Sequence, residues 1–143
     1  MKKRVLAMFL ACVMAFSLMA CGSNNDNGAD SAETIKLGGV GPLTGGYANY
    51  GLSVQHGAQL AVDEINAAGG VNGKQLELSF QDSQGDPESA VAAYGKLMDW
   101  GMNVFLGGVL SGETASVVAA AKADDMFIME TTGSADKCID GND

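Results

Sequence analysis

Four short apolar runs, each separated from the next by a segment of helical pattern, constrain this chain more than any other feature. Residues 34–40 alternate apolar and polar side chains and end in glycines, which predicts a strand. Residues 41–51 are glycine-rich, carry Pro42, Tyr47 and Tyr50, and read as a loop. Over 52–68, Val54, Ala58, Ala61, Ile65 and Ala68 fall at helical spacing, with Asp63, Glu64 and Asn66 opposite. Gly69-Gly70 ends that helix, because glycine accepts the left-handed closing turn. Asn72-Gly73 is a tight-turn pair, and 75–80 alternates Leu76, Leu78 and Phe80 with polar residues as a second strand. Asp86-Pro87-Glu88 is a helix start: Asp86 caps free amides, Pro87 suits the first helical position and Glu88 complements the dipole. That helix is expected to bury Val91, Tyr94, Leu97 and Met98 and to stop at Gly101. Residues 104–107 predict a buried strand. Ser111 would cap a third helix over 113–123 through Ala115, Val118 and Ala119, and 127–129 would be a fourth strand. This alternation predicts an α/β fold, a parallel sheet with helices on both faces.

Residues 1–33 stand apart from that pattern. Lys2, Lys3 and Arg4 precede an uncharged run over 5–20, shorter than the ~20 residues a helix needs to cross the hydrocarbon core. A basic start, an apolar middle and small residues before a cleavage point make residues 1–20 a secretory signal peptide. Leu18-Met19-Ala20-Cys21 resembles the lipobox of bacterial lipoproteins. That resemblance implies lipid attachment at Cys21 and a chain anchored to a membrane outside the cytoplasm. Residues 21–33 are polar, cannot bury enough surface to offset chain entropy, and read as a flexible tether. The folded part is then 34–143, enough for one modest core.

Charge and cysteine content close several function classes. The formal net charge is −9, and loss of Lys2, Lys3 and Arg4 with the signal takes it further from zero. So acidic a chain repels nucleic acid and anionic headgroups. Cys12 leaves with the signal and Cys21 takes lipid, so Cys138 has no partner for an internal disulfide. His56 is the one histidine, too little for a zinc site or a nucleophile-base pair. No cofactor, metal or catalytic group is expected.

In open parallel sheets, ligands bind at the carboxyl ends of the strands. Loops 41–51, 82–86, 108–112 and 131–135 fall at that edge, and their small and hydroxyl residues suit holding a small polar ligand. Ser111 follows a strand and precedes a helix, so its hydroxyl and the next amides could bind a carboxylate; the alternative is a helix cap without a ligand. Gly133, Ser134 and Ala135 form a second small loop, either a ligand contact or a solvent turn. Tyr50 and Tyr47 could wall a pocket or serve as packing residues. His56 is expected on the surface, and Met98, Met102, Met126 and Met129 in the core.

Gly41-Pro42-Leu43-Thr44-Gly45, then Tyr50-Gly51, then the run 57–74 through Asp63-Glu64-Ile65-Asn66 and Gly69-Gly70-Val71-Asn72-Gly73-Lys74, resemble the leucine/isoleucine/valine-binding proteins. These are extracytoplasmic solute receptors of ABC importers. Asp82, Asp86-Pro87 and Ser111-Gly112-x-Thr114 continue the resemblance in register, from about residue 35 onward. It implies a type I periplasmic-binding fold of two α/β lobes, of which this chain holds part of lobe one. It further implies that the Ser111 hydroxyl holds a ligand carboxylate, that Gly133, Ser134 and Ala135 meet the carboxylate and ammonium, and that Tyr50 is the first-loop aromatic. The implied ligand is an amino acid or similar carboxylate-bearing solute, and the implied partners are ABC permease and ATPase subunits. Two departures stand out. Glu130-Thr131-Thr132 lies where relatives often have Thr-Pro, and a carboxylate beside a ligand anion weakens binding. The disulfide that many relatives carry at positions matching Gly85 and Leu110 is absent. The chain is expected to be the N-terminal piece of a longer receptor, marginally folded or aggregation-prone and a weak binder alone.

A dinucleotide-binding enzyme domain is the main rival. Gly39-Val40-Gly41-Pro42-Leu43-Thr44-Gly45 looks like a phosphate loop, and Asp82 ends the second strand where a ribose-binding acid would stand. Pro42 counts against it by removing an amide that a pyrophosphate needs, and the following helix starts too late. A ligand-sensing receptor domain of the same fold is the other alternative.

Overall fold

The structure, a computed structural model, describes residues 34–139. The expectations for the signal peptide, the tether and Cys21 concern residues outside that range. The elements are β1 (Ile35–Gly41), α1 (Ala48–Ala67), β2 (Leu76–Asp82), α2 (Pro87–Trp100), β3 (Val104–Gly108) and α3 (Ser111–Ala123), then a 3-10 turn at Asp136–Cys138. Both β2 and β3 pair with β1 in parallel, in the order β2-β1-β3. The chain leaves β1 toward β2 and then crosses back to β3, so right-handed crossovers put α1 and α2 on opposite faces. The strand order reverses between β1 and β3, which makes the carboxyl ends of those two strands the natural crevice.

β1 can be the central strand because its small residues admit neighbours from both faces. A Cβ at Gly38 would stand 2.0 Å from Met102 Sδ, and one at Gly39 2.5 Å from the Phe80 ring. On one face, α2 and α3 pack together over Val40, Ala90, Ala93, Tyr94, Leu97, Met102, Phe105, Val117 and Ala121. The Tyr94 and Phe105 rings meet edge to face, with centroids 5.4 Å apart. Burial of Leu97 and of Phe105 contributes about 1.5–3 kcal/mol each. The Tyr94 hydroxyl donates to Asp124 Oδ2 at 3.1 Å, and burial together with that carboxylate pushes its pKa up.

The α2 boundaries follow the sequence signals. Asp86 Oδ1 accepts from Ser89 N–H at 2.7 Å, which holds the Asp86 carboxyl below its usual value. Gly101 closes the helix in the left-handed conformation at φ 85°. Asn72 and Gly73 likewise make the predicted turn, with Val71 and Lys74 bridged across it.

The structure corrects several expectations, among them the core place of Met129, which is 51% exposed. First, α1 starts at Ala48, so Tyr50 lies in its first turn and not in a loop. Second, the buried face of α1 is rotated from the predicted stripe. Gly51 and Val62 are buried, while Ile65 is 38% exposed. Asn66 shares the inward face because its side chain donates to Leu76 O at 2.9 Å and accepts from Leu76 N–H at 2.7 Å. On α2, Ala90 and Ala93 take the buried positions and Val91 is left exposed. Third, Ser111 is the first residue of α3, and the preceding Leu110 holds the cap position. Fourth, 127–129 is not a full strand. Phe105 N–H donates to Phe127 O at 3.1 Å and Met129 N–H to Phe105 O at 2.9 Å, which makes one parallel bridge between Phe105 and Ile128.

Candidate functional site

The segments that leave β1 and β3 enclose an open cleft of about 580 Å³. Asn49, Tyr50, Ser53 and Val54 line it from the first turns of α1, Val109, Leu110 and Ser111 from the β3–α3 junction, and Thr132 from the last loop. The cleft therefore sits at the topological switch point that the strand order defines. None of the lining side chains carries a formal charge, and none is a nucleophile beside a base. Hydroxyl, amide and phenol groups share the walls with Val54, Val109 and Leu110.

Close backbone contact fixes the α1 wall. A Cβ at Gly51 would stand 2.0 Å from Pro42 O, so only glycine lets the helix lie against the first loop. Asp82 ties that loop to the next. It accepts from Leu43 N–H at 2.8 Å, Thr44 Oγ1 at 2.6 Å and Gln84 N–H at 2.8 Å. Burial would raise the Asp82 carboxyl, but these hydrogen bonds outweigh it and hold the group below its usual value. An acid engaged three times by its own loops is not presented to a ribose, which counts further against the dinucleotide alternative.

The β3–α3 wall hangs on Glu113, one turn into α3 and 1% exposed. One of its oxygens accepts from Leu110 N–H at 3.2 Å, and the other accepts from the Ser83 hydroxyl. Glu113 thus supplies the N-terminal hydrogen bond of α3 that had been assigned to Ser111, and joins the loops after β2 and β3. Ser111 Oγ instead accepts from Ser134 N–H at 3.2 Å. Its hydroxyl proton remains free for an acceptor in the cleft. Cys138, buried with a free thiol, approaches Ser111 O at 3.5 Å and packs the last loop onto α3.

Of the residues singled out from the sequence, Tyr50 and Ser111 face one cleft. Ser134 joins them through its hydrogen bond to Ser111. Gly133 and Ala135 do not line it: Gly133 N–H donates to Glu130 Oε1, and Ala135 O accepts from Cys138 N–H at 2.8 Å. Asn49, Ser53 and Val54 also line the cleft: Asn49 lies in the stretch expected as a ligand-edge loop without being singled out, Ser53 has no role in the sequence reading, and Val54 is expected on the core face of the helix. Thr132, whose hydroxyl donates to Val109 O at 2.8 Å, was passed over within a loop already marked. Tyr47 packs toward Gly85 and stands outside the cleft. His56 is exposed on α1, and no group of three metal-ligating side chains occurs among the described residues. No helix among the described residues is long and apolar enough to cross a membrane.

A parallel sheet with a cleft at its switch point and an uncharged polar lining defines an open α/β lobe. Residues 34–142 match the model of the periplasmic binding protein family, and the chain belongs to that family. A leucine-, isoleucine-, valine-, threonine- and alanine-binding protein of Pseudomonas aeruginosa is 44% identical over 84 residues, covering 59% of this chain and 22% of that protein. A Leu/Ile/Val-binding protein of Escherichia coli is 36% identical over 109 residues, covering 76% of this chain and 27% of that protein. Among solved structures, the branched-chain amino acid transporter substrate binding protein LivJ of Streptococcus pneumoniae, in complex with isoleucine, superposes with a TM-score of 0.72. It is 36% identical, over 76% of this chain and 32% of that one. The matched region thus spans about a fifth to a third of the length of these relatives. These likenesses bear out the type I periplasmic-binding fold for the partial lobe described here.

Proposed function

We propose that this chain is part of the substrate-binding component of an ABC importer. It captures a small amino acid or related carboxylate-bearing solute, of the branched-chain type, outside the membrane and delivers it to permease and ATPase subunits. The observation that carries this reading is the lining of the cleft: Ser53, Ser111, Thr132 and Tyr50 offer hydrogen bonds beside Val54 and Leu110, with no base among the lining side chains to activate a hydroxyl. Such a wall holds a solute without transforming it. The amino acids for which the Pseudomonas and Streptococcus relatives are named or with which they are complexed support amino acids as the first class to test.

Isothermal titration of a full-length version with L-leucine, L-isoleucine, L-valine, L-threonine and L-alanine, and with NAD as the rival ligand, tests the reading. Saturable heat with an amino acid and none with NAD is the expected result; the reverse would sink it. In a full-length version, Ser111→Ala is expected to weaken amino-acid binding by about 1–3 kcal/mol, the scale of a hydrogen bond to a charged group. Unchanged affinity removes Ser111 from the site.

Anchoring belongs to the same proposal. With a basic start, a short apolar run and Leu-x-Ala-Cys in succession, lipid on Cys21 holds the chain at the outer face of a membrane. Cys21→Ala is expected to release the protein from membranes or to block its processing. A variant that still fractionates with membranes at mature size contradicts the lipid anchor.

A further inference from the structure

The loop that closes the cleft already holds an anion of its own. Glu130 Oε1 accepts from Thr132 N–H at 3.0 Å and from Gly133 N–H, and the next amide, Ser134 N–H, is engaged by Ser111 Oγ. Successive backbone N–H groups turned toward one point make a concavity that binds anions. Two of these three amides are filled by a carboxylate from the same chain. The carboxylate is packed in place. Its Oε2 is buried without a hydrogen-bond partner, and a Cβ on Gly107 would stand only 2.8 Å from it. Thr132, one of the two residues whose amides Glu130 takes, itself lines the cleft.

We propose that Glu130 is a specificity-determining residue that fills the amide concavity beside Ser111 and closes it to ligand carboxylates. The inference rests on the reading of the cleft as the ligand site. A ligand anion placed there would lose both amide donors and stand next to a like charge. The part of a solute that faces this loop is therefore a neutral or cationic donor, such as an amide, a hydroxyl or an ammonium. A ligand carboxylate is directed instead to the free hydroxyl proton of Ser111.

Titration of the ¹⁵N-labelled chain with sodium acetate at constant ionic strength tests this, because acetate is a carboxylate without ammonium or side chain. In the wild-type chain the Thr132 and Gly133 amide signals are expected to stay still. In Glu130→Ala they are expected to shift saturably, with an apparent affinity about tenfold or more higher. Glu130→Gln keeps the acceptor oxygen that orders the loop and loses the charge, so it guards against a loop that merely unfolds; its response is expected to lie between the two. Wild-type amides that respond to acetate as strongly as those of the variants overturn the proposal, and so does silence in both variants. A parallel titration with L-leucine, read at the Ser53 and Ser111 amides, reports on the cleft as an amino-acid site, so the two readings fail independently.

Discussion

Phe105→Ala is expected to destabilise the lobe by about 3–5 kcal/mol, the usual range for removing a fully buried aromatic ring. Phe105 is 0% exposed and sits on β3. Its ring meets Tyr94 of α2 edge to face, and its backbone carries the two hydrogen bonds that hold 127–129 beside the sheet. The substitution leaves a cavity where α2, α3 and the sheet converge, and the neighbours can collapse into it only partly. Domains of this size have about 5–15 kcal/mol of stability in all, so a substantial part of the reserve is lost. Urea unfolding followed by circular dichroism reads the change as a lower midpoint with a similar slope. Phe105→Leu, which refills much of the space, is expected to recover more than half of the loss. A midpoint for Phe105→Ala within experimental error of the wild type would place the core elsewhere.

The parts of the fold that were legible in the sequence are those whose signals are local. Asp86-Pro87 and Gly101 bracket α2 because a cap, a fixed φ and a left-handed closing residue act on their own neighbours. The start of α1 carries no such signal. Tyr47 stands at its cap position without a side-chain hydrogen bond, and Gly45-Gly46 before it reads as continued loop. The buried face of α1 was misread for a related reason. Its inward positions include Gly51, chosen for closeness to Pro42 O, and Asn66, chosen for its bonds to Leu76. An apolar count sees neither. The run 127–129 has the composition of a strand, but past its single bridge Glu130 draws back the amides of Thr132 and Gly133, and the extended conformation ends. At the site, Ser111 and Tyr50 were visible as residue types at the right edge of the sheet. Which group caps α3, and which loop amides are already occupied, depends on contacts between residues far apart in sequence.

The same consideration makes Glu113 the strongest test of how the cleft is built. A buried acid on a short helix has no apolar signature, yet it joins Leu110 to Ser83, which lies 30 residues before the acid in the chain. Glu113→Ala leaves the Leu110 N–H and the Ser83 hydroxyl without their acceptor and opens a small void. The expected loss is about 2–4 kcal/mol, the sum of unsatisfied buried donors and a modest cavity. Glu113→Gln is milder. Its carbonyl can accept from Leu110 N–H while its NH₂ donates to Ser83 Oγ, so about 1–2 kcal/mol is expected from the exchange of a charged for a neutral acceptor. The two variants should separate in function as well as in stability. Under conditions where both are folded, the Ala variant releases Leu110 and with it the β3–α3 wall, whereas the Gln variant retains it. Amide exchange at Leu110 and Ser111 should therefore rise sharply in Glu113→Ala and little in Glu113→Gln. Equal exchange in both variants would mean that Glu113 stabilises the lobe without positioning the residues of the cleft.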